Sequence, residues 1–242
     1  MLIDEQQGIL NNIQPMLLQI ERECGSRPGN KTILEDHALH KRFQTQQTPT
    51  ALYCDVLATV YRRLAEFYGV SVSWRECQRY GTSVQLWPAF PDSADALSDS
   101  GLGHHFELVT LPDVDNESFE ASRQLLGDPF NFICTAQDIG SYKPSERNFD
   151  YLIHRAQEFG FGKDDILHVG ESWHYDLLPA QQAGLATCRI NRQMNPDCGL
   201  DIPSDNPDFV FNTMAELAKA HKAELAKANE AEPTKPRKRR RS

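Results

Sequence analysis

The chain has 242 residues, a net charge of −9, 40% hydrophobic and 24% charged residues, which is enough for one sizeable core or a core with a smaller companion domain. No apolar run is long enough to cross a bilayer, and the acidic opening MLIDEQQGILNNIQ is not expected to be a signal peptide. From Lys235 the tail holds six Lys and Arg, leaving 19 basic against 34 acidic residues in the rest, a balance that excludes nucleic-acid binding through the folded body because phosphate contacts need cations.

Residues 2–20 carry Ile3, Ile9, Leu10, Ile13, Met16, Leu17 and Ile20 at mostly helical spacing, and CGSRPGNK then breaks the chain. A second helix is expected over 32–45. ALYCDVLATVYRRLAEFYG predicts a third, with Leu52, Val56, Val60, Leu64 and Phe67 on one stripe and Gly69 ending it. Everything to about residue 85 reads as helix and loop. At WPAFPDS the pattern changes. Short β-type runs, FELVTL (106–111), NFICTA (131–136), DILHVG (165–170) and ATCRIN (186–191), alternate with helices expected near 116–126, 145–160 and 176–184. FVFN (209–212) could add an edge strand before a closing helix. Apolar strands separated by single helices signal a doubly wound parallel sheet covered on both faces. The expected division is a helical module at 1–88, an α/β body at 89–220, and a helix end with a basic tail at 221–242.

Cys24, Cys54, Cys77, Cys134, Cys188 and Cys198 show no C-x-x-C spacing. Reduced, buried thiols in a cytoplasmic protein are expected rather than a disulfide framework or a zinc site. KPRKRRRS has the composition both of a solvated tail and of a nuclear-import signal, and both readings stay open.

In doubly wound sheets chemistry collects at the carboxyl ends of the strands. Asp113, Asp115 and Asn116 follow the first run; Gln137, Asp138 and then Lys143 follow the second; Glu171, Ser172 and Asp176 follow the third. A post-strand acid is often only a helix cap, but a lysine set on a Gly-Ser-Tyr turn before Pro144 answers a negative charge. GESWH imitates a serine nucleophile elbow, yet His174 stands where that strained turn needs glycine.

WPAFPDSADAL, VDNESF, TAQDIGSYKPSERNFDYL, ILHVGESWHYDLLPAQQAGLATCRINR and DFVFNTMAELA, spread over about residues 80–217, together resemble the haloacid dehalogenase (HAD) superfamily, and within it the type II 2-haloacid dehalogenases. The resemblance implies a HAD-like α/β core with a helical cap. It implies covalent catalysis, in which an aspartate at the end of the first strand forms an ester that water hydrolyses. It assigns Lys143 to steady that carboxylate, and Glu171, Ser172 and Asp176 to complete the site. It places Asp113, Asn148, Trp173 and Tyr175 around a small 2-haloacid-like substrate. Dehalogenase members need no cofactor. Phosphatase members carry a G-D-x-x-x-x-D pattern that binds Mg²⁺, and G-E-x-x-x-x-D here offers Glu171 and Asp176 as ligands for it.

Three departures accompany the resemblance. MLIDEQQGIL corresponds to residues after the family's Asp-x-x-Gly-Thr motif, so the first strand and its nucleophile are expected to be missing; YGTS at 80–83 follows the polar SWRECQR and is not a substitute. Pro112 stands where the family has Ser or Thr, and it offers neither hydroxyl nor N–H. Glu171 stands where type II members have a neutral residue. A central strand's absence predicts an apolar gap costing roughly 5–10 kcal/mol for a few hundred Å² exposed, hence low stability or a homodimer across the gap. A hydrolase of a small molecule, a Mg²⁺-dependent phosphatase and an inactive binding or regulatory relative all remain open.

Overall fold

The computed structural model describes residues 1–192 and 206–231, so the expectations for Cys198 and for the basic tail fall outside it. The amino-terminal part is helical. Asp4 accepts from Gln7 N at 3.0 Å and starts α1 (Glu5–Asn12). α2 (Gln14–Cys24) begins separately with Pro15 in its first turn. The single helix expected over 2–20 is therefore two, because proline fits the first turn of a helix but not its interior. α3 (Asn30–Gln47) and α4 (Tyr53–Phe67) follow, with Gly69 at φ 72° stopping the latter. α5 (Trp74–Gly81) opens on a capping box in which Ser73 Oγ accepts Glu76 N and Glu76 returns a bond to Ser73 N.

These helices enclose one apolar cluster in which Ile13, Met16, Leu17, Ile33, Leu57 and Leu64 are buried. Each such side chain contributes about 1.5–3 kcal/mol. YGTS closes α5 and enters a 3₁₀ turn, Thr82–Leu86. A Cβ on Gly81 would stand 2.2 Å from the Cys54 carbonyl oxygen, so this glycine lets α5 pack on α4.

The remainder alternates strand and helix. α6 (Ser93–Leu97), β1 (Val109–Thr110), α7 (Asn116–Leu125), β2 (Phe132–Ile133), α8 (Ala136–Ile139) and α9 (Glu146–Glu158) lead to β3 (Leu167–Gly170). A π-helical turn (Trp173–Leu177), α10 (Leu178–Gln182), β4 (Ala186–Ile190), β5 (Phe209–Phe211) and α11 (Met214–Ala231) complete the described chain. Among the described residues β1–β5 pair in parallel: Val109 faces Phe132, Leu167 faces Ala186, and Cys188 faces Phe209.

The expected single sheet is present as two pieces, β1–β2 and β3–β4–β5, with no ladder between β1 and β3. β1 and β2 are also shorter than their apolar runs. β1 pairs on one side only and meets Pro112, which has no N–H to continue a ladder; β2 gives way at once to α8.

Arg192, after β4, pairs with Asp92 at 2.7 Å and lies over the Phe90 ring, while Asp92 also accepts Ala215 N at 3.1 Å. That one acid ties β4, α6 and α11 together. Among the described residues the cysteines are free, with Cys77, Cys134 and Cys188 buried as small apolar groups. None of the described helices is long and apolar enough to cross a membrane.

Candidate active site

The residues following β1, β2 and β3 share the wall of a cavity of about 990 Å³. Lys143 is its hub. The segment carrying it is anchored on both sides: Tyr142 donates its hydroxyl to the Ala51 carbonyl at 2.7 Å, and Asn148 from α9 donates to the Ser141 carbonyl at 2.9 Å. These anchors bring the Lys143 N–H to Asp113 Oδ1 at 2.9 Å. The ammonium reaches Asp176 Oδ1 at 2.5 Å and stands 3.8 Å from Asp113 Oδ2. Asp113 follows β1 and Asp176 follows β3, so one lysine side chain ties three strand ends.

Gly170 makes this approach feasible. A Cβ there would lie 2.4 Å from the Asp176 Cβ, so the π-helical turn can fold its carboxylate over the strand end only beside a glycine. Asp176 Oδ2 then accepts the N–H groups of Glu171 (3.2 Å) and Ser172 (3.1 Å). Ser172 Oγ accepts Tyr175 N at 3.1 Å and caps the turn.

The charges are strongly coupled. Burial alone would lower the pKa of Lys143, but Asp176 and Asp113 overcome it and hold the ammonium charged. Burial likewise opposes ionisation of Asp176; Lys143, His168 and the backbone donors hold its carboxyl well below the usual range. Asp113 goes the other way. Burial raises its pKa and Lys143 offsets this only in part. Two adjacent carboxyls are thus pushed apart, as sites that divide acid and base work require. His168 on β3 is lowered to about 4 by burial and is neutral at pH 7.

Asp113, Lys143, Glu171, Ser172, Tyr175 and Asp176 are all brought to the cavity. Asn148 and Trp173 lie elsewhere: Asn148 holds the turn before Lys143, and Trp173 is 1% exposed within the interior. Asp115 caps α7 through Ser118 N (2.8 Å) and accepts Cys54 N (2.9 Å), joining the α/β part to α4. Asn116 beside it donates its N–H to Gln137 and its side-chain amide to Asp138. Those post-strand residues are scaffolding.

A lysine on the cavity wall escaped the sequence reading. Lys41 on α3 lines the cavity and pairs with Glu5 at 2.5 Å. Burial lowers its pKa, yet Glu5, with Tyr175 and Asp113 further off, raises it overall. Its signal in the sequence was only a polar position on a helix.

Mg²⁺ demands near-octahedral oxygen coordination, toward which the described residues offer Glu171 and Asp176 on the cavity wall. Asp176 has both oxygens engaged by Lys143 and backbone N–H groups, and Glu171 Oε1 has no partner among the described residues. Among the described residues no cluster of three His, Cys, Asp or Glu is arranged to hold a metal.

No family profile matches the chain. The chain is 32% identical over 166 residues to a Bacillus subtilis protein described as the HAD-hydrolase YfnB, covering 67% of this chain and 68% of that one. The orthorhombic crystal structure of YfnB, bound to magnesium, superposes with a TM-score of 0.69 at 17% identity over 91% of this chain and 94% of its own. The L-2-haloacid dehalogenase of Xanthobacter autotrophicus superposes with a TM-score of 0.72 at 13% identity over 92% of this chain and 94% of that one.

Proposed function

Since the chain belongs to the haloacid dehalogenase-like hydrolases, we propose that its reaction is hydrolysis of a small, anionic, 2-haloacid-like molecule at the cavity edge around Lys143. The observation that carries this reading is the Lys143 ammonium held between Asp113 and Asp176 at the ends of three strands. An ammonium so placed stabilises a further carboxylate brought to it, and the attraction of one pair is worth about 4 kcal/mol at 4 Å near a protein surface. In the reaction an aspartate oxygen attacks the substrate carbon, the carbon–halogen bond breaks, and its electron pair leaves with the halide. Water then attacks the aspartyl ester carbonyl, releasing the hydroxy acid and restoring the carboxylate.

The 242 residues contain no Asp-x-x-Gly-Thr, so this reading assigns the nucleophile to none of their aspartates. Lys143 and Lys41 hold the anionic ends, and Tyr175 walls the cavity. Glu171 and Asp176 are the residues that would hold Mg²⁺ were it bound, and no step is routed through it. An accessory role in detoxification or small-molecule metabolism suits such an activity.

The test is to fuse an apolar strand ending Asp-x-x-Gly-Thr ahead of Met1 and measure halide release from 2-chloropropionate, with and without Mg²⁺. Metal-independent halide release, lost in Lys143→Met, is expected. Phosphate release that needs Mg²⁺ would favour the phosphatase reading, and neither activity would overturn both. Pro112, which removes a hydroxyl and an N–H from the cavity edge, favours as second reading a non-catalytic binding protein. Turnover by the unextended chain that Lys143→Met abolishes would contradict that reading.

A further inference from the structure

The helical part supplies one wall of the cavity through Glu5 of α1, Lys41 and Arg42 of α3, Tyr53 of α4 and Trp87 just past the 3₁₀ turn. Lys41 engages Oε1 of Glu5 at 2.5 Å, and the Glu5 side chain is still 42% exposed, so its second oxygen is open to a donor. Burial opposes its ionisation, but the Lys41 charge and hydrogen bond outweigh that and lower its pKa. The Tyr53 ring, 4% exposed, stands edge-on to Trp87 at 6.4 Å and lies 6.3 Å from Tyr142. Burial first, then Glu5, Tyr142 and Asp113, raise the Tyr53 pKa, so its hydroxyl stays protonated with carboxylates acting on it. Trp87 is also 4% exposed, and its Nε1 has no partner among the described residues. A buried donor without an acceptor is costly, so this wall suits a polar atom brought to it.

The charges around it are mixed in sign. Glu5 and Lys41 balance each other and Arg42 adds a cation. On the strand side Lys143 is shared by Asp113 and Asp176, while Glu171 adds an acid. A second carboxylate on the substrate would meet Glu5, and an ammonium would meet Lys41 and Arg42. A methyl group would leave Glu5, Tyr53 and Trp87 without partners. A hydroxyl suits all three, because it both donates and accepts. Resting on the hydrolase reading, we propose that the substrate is a 2-halo-3-hydroxy acid, its carboxylate between Lys143 and Lys41 and its hydroxyl between Glu5 Oε2, Tyr53 and Trp87 Nε1. Glu5, Tyr53 and Trp87 are then the residues that set specificity, by what they leave unpaired when a poorer substrate enters.

The probes are racemic 2-chloropropionate, 2-chloro-3-hydroxypropionate and 2-chlorosuccinate, each added to the full chain and followed by calorimetry at pH 7. The hydroxy acid is expected to bind at least about tenfold more tightly than either of the others; tenfold is near 1.4 kcal/mol, the scale of one hydrogen bond. Tyr53→Phe should cut the preference over chloropropionate at least about threefold. Glu5→Gln should cut the preference over chlorosuccinate by about the same factor, because the like charge is gone. A merely structural role for either residue would weaken all three acids alike. The wild-type comparison needs no variant, so it stands should either fail to fold. Equal or tighter binding of either other acid, or a preference that either variant leaves unchanged, would overturn this inference alone and leave the hydrolase reading standing. Binding of none of the three acids would overturn both.

Discussion

Replacing Lys143 by Met keeps the side-chain length but leaves Asp176 and Asp113 without their cation. The Lys143 and Asp176 side chains are 11% and 15% exposed, so solvent replaces little of the loss, and breaking a buried pair from one side costs about 3–5 kcal/mol. For a chain of this size that is a fall in melting temperature of roughly 6–20 °C. The pH dependence is the sharper signature. In the wild type the folded pKa of Asp176 is depressed, so its contribution is present above the unfolded value, near 3.9, and is lost only as pH falls below it. In the variant only the backbone donors and the more distant His168 and Lys41 still oppose burial, so both folded pKa values rise. Protonation then favours the folded state, and each unit of upward shift recovers about 1.4 kcal/mol as pH falls through it. Urea unfolding of both proteins at pH 7 and pH 4.5 should therefore show a gap of 3–5 kcal/mol that narrows in acid. A gap below about 1 kcal/mol, the level of an exposed pair, or one independent of pH, would refute the reasoning.

Acid should also destabilise the wild type through histidine. Burial lowers His37 to about 3 and His168 to about 4, so both fold neutral; their contribution is full above the unfolded value near 6.5 and lost as pH falls. By pH 5 each costs about 2 kcal/mol from linkage, and a urea midpoint unchanged between pH 7 and 5 would contradict this. Gly170→Ala places a Cβ 2.4 Å from the Asp176 Cβ and should cost about 1–3 kcal/mol; a wild-type melting temperature would contradict the close approach. Asp115→Ala removes the α7 cap and the bond from Cys54 N, costing about 1–2 kcal/mol, with thermal unfolding as the check.

What could be read from residues alone followed the range of the forces involved. Helices with a repeating apolar face were legible: α4 falls within two residues of its expected ends. The break at Ile13 was not, because Pro15 can either end a helix or begin one. Lys143 stood out because it falls, in order, between the polar cluster after the first apolar run and the carboxylates after the third. Lys41 did not, since its partner Glu5 is 36 residues away and nothing local marks the pair. Asn148 and Trp173 show the limit of transferring roles by motif. Both belong to the expected segments, yet the first faces the Ser141 carbonyl and the second the interior. The division of the sheet into two pieces depends on which strand edges find partners, a long-range property that periodicity does not carry.

The most direct measurement is an NMR titration of the Lys143 side chain, following its ¹⁵Nζ and ¹³Cε signals from pH 6 upward in the wild type and in Asp176→Asn. A buried ammonium held between two carboxylates should give an observable, slowly exchanging NH₃⁺ signal whose titration lies above that of free lysine and moves down in Asp176→Asn. A rapidly exchanging signal with ordinary lysine titration, unchanged by that substitution, would mean that the three strand ends do not converge on Lys143.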